Sequence, residues 1–463
     1  MVTGIVARLQ AELGDLVTTD HAALDAVRED RSGHRSDGPP LAVVRPTSVE
    51  QVQTVLRIAT ETRTPIVPRG AGTGLAGGAI GGPGSIVLDL SNLNRILEIN
   101  PEEELAVVEA GVLNGELNAA LELHGRWYAP DPASRAISSI GGNIATNAGG
   151  LLCAKYGVTR ESVLGLTVVR ADGRLLRTGH RTVKGVTGYD LTALFTGSEG
   201  TLGVVVEATV RTRPIVRGET FTIAGTFDSI EDAAAACAGV VARGIRPSIL
   251  ELIDPLALSR IVEYLPREAV AGTPADGVLP GQTFLIAQAD GGARDDAERI
   301  AAEFTAAGGR TALSTDAETG DRLLAIRRAM HPAMAAYGQV LIEDVAVPRA
   351  MLPRMFQAIA EIGERYGVGI PTVAHAGDGN LHPNFIYEGD TVPDAVWAAA
   401  DELFRTAIEL GGTLTGEHGI GVLKRRWLRD EIGDDSYELQ REIKRVFDPL
   451  GILNPAVMFS DRE

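Results

Sequence analysis

The stretch RGAGTGLAGGAIGGPG, residues 69–84, contains Gly72-Thr-Gly74-Leu-Ala-Gly77, the spacing of a dinucleotide-binding fingerprint. In that fingerprint a helix opens directly after the glycines and turns its N-terminus to the pyrophosphate. Here more glycines, a proline and then SIVLDL follow, and SIVLDL reads as a strand. Upstream, SVEQVQTVLRIATETRT places Val49, Val52, Leu56 and Ala59 at helical spacing behind Ser48 as N-cap, and PIVP reads as a short strand. The order helix, strand, glycine-rich loop, strand argues against a Rossmann unit. It leaves either a surface turn or a loop whose successive N–H groups cradle phosphates, since glycine permits positive φ and close approach.

Two further segments of small residues weigh against a simple turn. SSIGGNIATNAGGLL, residues 138–152, precedes VLGLTVVRADGRLLRTG, a hairpin-like pair turning at Asp172-Gly173. TGYDLTALFTGSEGTLGVVVEATVRTRP, from Thr187, ends in a β-branched strand. Three such loops among strands point to one extended ligand threaded between elements.

The chain has 463 residues, 44% hydrophobic and 22% charged, an ordinary globular composition. At roughly 150 residues per domain, two or three domains are expected. The net charge of −18 argues against a sequence-independent grip on nucleic acid. Two isolated cysteines, Cys153 and Cys237, cannot form a disulfide framework or ligate an iron–sulfur cluster through four thiolates. The N-terminal MVTGIVARLQAELGDLV lacks the pattern of a secretory signal, and no run approaches the roughly 20 apolar residues of a membrane span. A cytoplasmic protein is expected, with any membrane attachment peripheral and through a partner.

In order along the chain stand PRGAGTGLAGG, PDPAS, SIGGNIATNAGG, KYG, TGYDLTALFTGSEGTLG, HAGDGNLHPN, TGEHGIG and GILNP. From Pro46 to Phe459 the chain thereby resembles the FAD-linked 2-hydroxy-acid dehydrogenases of the vanillyl-alcohol-oxidase flavoprotein superfamily. That family includes D-lactate dehydrogenase, D-2-hydroxyglutarate dehydrogenase and the flavin subunit of glycolate oxidase. The resemblance implies an α+β protein: a two-subdomain FAD-binding domain over 1–215, an α+β substrate cap carrying a metal site over 216–420, and a C-terminal helical segment over 421–463 returning to the flavin. It implies that Gly70, Gly72, Thr73, Gly74 and Leu75 hold the FAD diphosphate, with Pro68 and Pro130 also at the cofactor. Ser139, Gly142, Asn143, Thr146 and Gly149 would line the isoalloxazine and ribityl side, Gly200 and Val204 the adenine end, and Asn454 would reach back from the C-terminus. Ala71 stands in a loop where some superfamily members carry a flavin-linking histidine, so FAD is expected to be noncovalent.

Oxidising a 2-hydroxy acid requires a base for the hydroxyl proton, a flavin to take the hydride and an anchor for the carboxylate. His375 and His382 bracket a Gly-Asp-Gly turn, and TGEHG adds Glu417 with His418 beside it. Imidazole and carboxylate suit a divalent metal, with zinc the expected ion, and three protein ligands leave room for substrate. In the similar dehydrogenases the positions matching His375, His382 and Glu417 carry the metal, that matching Asn384 lies beside it, and that matching His418 is the general base. In GDRLLAIRRAMHPAMAAYG, Leu323, Arg327, Met330 and Met334 fall at helical spacing, so Arg327 interrupts an apolar face, and a buried arginine needs an anion. Arg327 also matches the family's carboxylate-binding arginine in W-x-x-R, although Leu324 stands at the Trp position. Arg328 is the rival, read as a solvated partner of a nearby acid. Asp378 is read as a turn residue.

Glu343-Asp344 stand near the point where hydroxyglutarate enzymes carry a lysine for a second carboxylate, and their acidity disfavours a second negative charge, so a D-2-hydroxy acid of lactate or glycolate type is the expected substrate, and a dicarboxylic hydroxy acid the alternative. A metal-dependent hydrolase and a flavin scaffold without turnover are the readings from other classes. The electron acceptor is expected to be external: an electron-transfer flavoprotein, a quinone or an iron–sulfur partner. A homodimer is the base-rate expectation.

Overall fold

A computed structural model describes residues 2–314, 316–389 and 391–459. The chain splits into two compact units: Met1–Gly150, Gly157–Ile215 and Glu417–Glu463 form one, and Leu151–Tyr156 with Val216–Gly416 the other.

In the smaller sheet of the first unit, Ala42–Val44, Ile86–Asp89 and Ile66–Arg69 run parallel, with Val17–Thr18 antiparallel at one edge. Parallel strands covered on both faces read as unbroken aliphatic runs, and AVV and IVLD are buried throughout. The helix Val49–Thr62 lays Val52, Val55, Leu56, Ile58 and Ala59 into the same core. Ser48 and Gln51 start it with a reciprocal capping box, and left-handed Arg63 ends it. Residues 70–84 contain no helix and lead from Ile66–Arg69 to Ile86–Asp89 by turns and bends. On its other side Ile66 bridges Leu453: its N–H donates to the Ile452 carbonyl, and Asn454 N–H to its own.

The larger sheet of this unit is antiparallel, in the order Ile96–Asn100, Leu105–Glu109, Val204–Arg211, Val163–Val169, Leu175–Gly179. Its hairpin turns at Asp172-Gly173, where Gly173 has φ +76° and Asp172 Oδ1 accepts from Arg174 N–H.

The second unit is built on an antiparallel sheet in the order Arg310–Leu313, Phe221–Phe227, Thr283–Ala289, Ile249–Ile253, Thr372–His375, Asn380–Tyr387, Gln339–Ile342, with Val345–Ala346 also paired to Asn380–Tyr387. Helices Pro255–Tyr264, Ala317–Arg328 and Met330–Ala335 supply apolar side chains to the core against it. The sequence between Gly320 and Gly338 reads as one helical face but forms two helices that meet at Ala329. Pro332 is the cause: it lacks the N–H that would reach the Arg328 carbonyl, and its ring crowds that oxygen. Among the described residues no helix is long and apolar enough to cross a membrane.

Ser48→Ala removes a cap from a helix that supplies five core residues, and is expected to destabilise the protein by about 1 kcal/mol. A lower thermal midpoint by calorimetry, with native circular dichroism at 25 °C retained, checks this.

Candidate active site

Strands Thr372–His375 and Asn380–Tyr387 form a hairpin in which His382 lies opposite Val373, two residues from His375. Both imidazoles therefore leave the same face of the sheet. The turn between them needs glycine at Gly379, where φ is +92° and a Cβ would sit 2.2 Å from the Val347 carbonyl oxygen. Asp378 Oδ1 accepts from Asn380 N–H and closes the turn. His375 and His382 are 5% and 8% exposed, and their Nε2 atoms stand 3.1 Å apart. Two nitrogens bound tetrahedrally to zinc at about 2.0–2.1 Å would lie about 3.3 Å from each other, so this spacing fits a shared cation. Glu417 follows Gly416, whose N–H donates to Asp344, and its carboxylate completes a set of three ligand atoms within 4.8 Å of one another.

Glu251 is the residue that the sequence did not disclose. It lies opposite His375 in the neighbouring strand Ile249–Ile253 and its side chain is 1% exposed. Oε1 is 2.6 Å from His375 Nδ1, and Oε2 accepts from Arg327 Nε at 2.7 Å. Burial alone would raise its carboxyl, yet its pairing with His375 and Arg327 holds it below the ordinary value. Its signal was a lone charge in an otherwise aliphatic strand, ILELI. Arg327 comes from the last turn of Ala317–Arg328 with its side chain 15% exposed, whereas Arg328 is 60% exposed near Asp321. The anion that burial of Arg327 demands is thus supplied within the protein, at Nε. Among the described residues no acceptor meets its two terminal nitrogens.

Asn384 is 3% exposed and donates through Nδ2 to the His382 carbonyl at 2.8 Å. His418 Nε2 lies 3.8 Å from Glu417 Oε1, with the imidazole 10% exposed. Both oxygens of Asp344 accept from Thr415 Oγ1, and Oδ2 also from Gly416 N–H, so this acid holds the TGEHG backbone. Glu343 beside it is 2% exposed.

The first unit gathers the glycine segments. A Cβ at Gly70 would sit 2.3 Å from Ser139 Oγ, so the first loop lies directly on the SIGGN turn. Ser139 caps the short helix Ile140–Thr146 through Gly142 N–H, and Thr146 Oγ1 donates back to the Gly142 carbonyl. Among the described residues, the N–H groups of Ala71, Gly72, Thr73, Gly74 and Leu75 meet no acceptor of the chain. Such a run of open amides suits the oxygens of a diphosphate. Buried Asn114, another residue the sequence reading missed, donates to both the Pro130 carbonyl and Asn143 Oδ1. Gly200, at φ +71°, packs on Pro68. Gly149 is buried, and the Val204 side chain belongs to the aliphatic core, so Val204 can meet a ligand only through its backbone. Asn454 Nδ2 donates to the carbonyls of Gly78 and Glu199, tying the C-terminal segment to two of the loops.

Residues 219–458 match the C-terminal domain of FAD linked oxidases, and residues 40–179 match an FAD binding domain. The chain belongs to the FAD-linked oxidase family. It is 40% identical over 432 residues to the glycolate oxidase subunit GlcD of Bacillus subtilis, covering 91% of this chain and 89% of that one. Identity is 35% to GlcD of Escherichia coli K12 (95% and 87% covered) and 36% to a D-lactate dehydrogenase of Archaeoglobus fulgidus (89% and 90%). The fold is shared with p-cresol methylhydroxylase, at 20% identity and TM-score 0.77 over 98% of this chain and 96% of that one, and with 4-ethylphenol oxidase from Gulosibacter chungangensis, at 19%, 0.76, 99% and 98%. It is the FAD-binding architecture of the vanillyl-alcohol-oxidase type, and this FAD-linked oxidase is an oxidoreductase.

Glu199, in the GSEG segment, accepts from the N–H groups of Ile420 and Gly421, which directly follow the EHG tripeptide. Burial pushes its carboxyl up to about 7, against the pull of those amides and Lys424. A carboxyl raised on folding contributes stability that is complete below its unfolded pKa, about 4.3, and that is lost as the pH climbs through about 7. The thermal midpoint is therefore expected to fall more between pH 5 and pH 8 in the wild type than in Glu199→Gln, as differential scanning fluorimetry will show.

Proposed function

We propose that this FAD-linked oxidase oxidises a D-2-hydroxy acid of lactate or glycolate type to the 2-keto acid. The observation that carries the reading is the convergence of His375, His382 and Glu417 within 4.8 Å, with an arginine held by the same carboxylate that holds His375. When bound, noncovalent FAD would supply the hydride acceptor, and a divalent cation, zinc by its donor set, would supply polarisation of the substrate oxygen.

The residues do the rest. His375, His382 and Glu417 would hold the cation. The terminal nitrogens of Arg327 pair with the substrate carboxylate, a bidentate match that fixes the hydroxyl-bearing carbon. Asn384, its amide donor engaged by His382, offers its side-chain carbonyl to the hydroxyl. His418 takes the hydroxyl proton, as an imidazole can near neutrality. The open amides of residues 71–75 and the Ser139–Thr146 turn bind the flavin nucleotide. The relatives' names, glycolate oxidase and D-lactate dehydrogenase, support a monocarboxylate. Electrons leave to an external acceptor.

Steady-state assays with a dye acceptor test the reading across glycolate, D- and L-lactate, D-malate and D-2-hydroxyglutarate. D-lactate or glycolate is expected to give the highest kcat/KM. Arg327→Met is expected to lower kcat/KM by about tenfold or more, mostly through KM, as loss of a charge-assisted pair implies. Faster turnover of either dicarboxylate would contradict the substrate assignment.

A further inference from the structure

The strand Ile249–Ile253 is buried at all five positions, and Glu251 is its one charged residue. A carboxylate this deep is tolerated only when paired and hydrogen-bonded. Its two oxygens are divided between two groups with different tasks: Oε1 at His375 Nδ1 and Oε2 at Arg327 Nε.

Each contact selects one arrangement of its partner. With its Nδ1–H on Glu251, neutral His375 carries its lone pair on Nε2, the atom that faces His382 Nε2. Bonded at Nε, the guanidinium of Arg327 has its side edge engaged and its terminal fork left for a second carboxylate. We propose that Glu251 is a positioning residue shared by the cation site and the substrate anchor, so that affinity for the metal and affinity for the hydroxy acid are coupled through one carboxylate. The proposal rests on the metal and anchor assignments made above and adds a residue and a coupling to them.

Glutamine cannot replace it. If the amide oxygen accepts from His375, the NH2 group confronts the Arg327 Nε–H, donor against donor. If the amide is reversed, NH2 donates to His375 Nδ1 and drives the ring proton to Nε2, where it blocks coordination.

The test uses the FAD-loaded protein stripped with dipicolinate and titrated first with zinc, then, at saturating zinc, with 2-hydroxyisobutyrate, a hydroxy acid that has no hydrogen to lose at C2. Calorimetry reads both affinities, and flavin content with thermal midpoint confirms folding. Glu251→Gln is expected to weaken zinc by about 10- to 100-fold, as loss of the partner of a ligating histidine does. It is also expected to weaken the acid by about tenfold, the worth of one charge-assisted contact. Arg327→Met is expected to weaken the acid comparably and to leave zinc within a few-fold of the wild type. In the double variant the two losses for the acid are expected to overlap rather than add, because both act through one element.

Wild-type zinc and acid affinities in Glu251→Gln, or fully additive losses in the double variant, would overturn the coupling while leaving the metal assignment standing. A wild-type protein that takes up no zinc would overturn both. If Glu251→Gln does not fold, the metal-free wild type labelled with 15N-histidine decides: His375 protonated at Nδ1 supports the proposal, and protonation at Nε2 alone contradicts it.

Discussion

A charge that cannot reach solvent must find its partners inside the protein, and Glu251 is such a charge at the centre of the site. With its side chain 1% exposed, it is held by His375 on one oxygen and Arg327 on the other. The register of three strands follows the same geometry: Glu251 opposite His375, His382 opposite Val373, and Asn384 two residues farther on the same face. A one-residue slip of any of these strands would turn its polar groups to the other face of the sheet. Arg327 is drawn to the same carboxylate by a helix that stops where Pro332 forbids its continuation.

The first unit works with the opposite material. Small residues let backbone approach backbone, as where Gly70 lies on Ser139, and among the described residues the amides of residues 71–75 are left without acceptors. What keeps these loops from being mobile turns is a set of side-chain bonds from a distance. Asn114 joins Pro130 to Asn143, Asn454 joins Gly78 to Glu199, and Glu199 in turn holds Ile420 and Gly421.

Local signals carried much of the architecture. The Ser48 cap, the hairpin at Asp172-Gly173 and the absence of a helix after Gly77 depend on neighbours a few residues away, and each is legible from spacing alone. The site was harder. His375, His382 and Glu417 declare themselves by motif, and the motifs also carried the family. Glu251, Asn114 and Glu199 act across 124, 29 and 221 residues of sequence, on His375, Asn143 and Ile420, and no periodicity reports such a partner. Asp344 shows the same limit: its acidity read as a repulsion for substrate, whereas both of its oxygens bind Thr415 and one binds the Gly416 amide. The helix break at Ala329 was written in Pro332, but the apolar spacing across it reads as continuous.

Anaerobic mixing of the purified protein with D-lactate or glycolate, followed at the visible flavin band before and after chelation of metal, tests most directly whether flavin and cation act together on the hydroxy acid. Bleaching that chelation slows and added zinc restores is the expected result. A yellow protein whose flavin neither acid reduces, or one reduced at the same rate with and without metal, would contradict it.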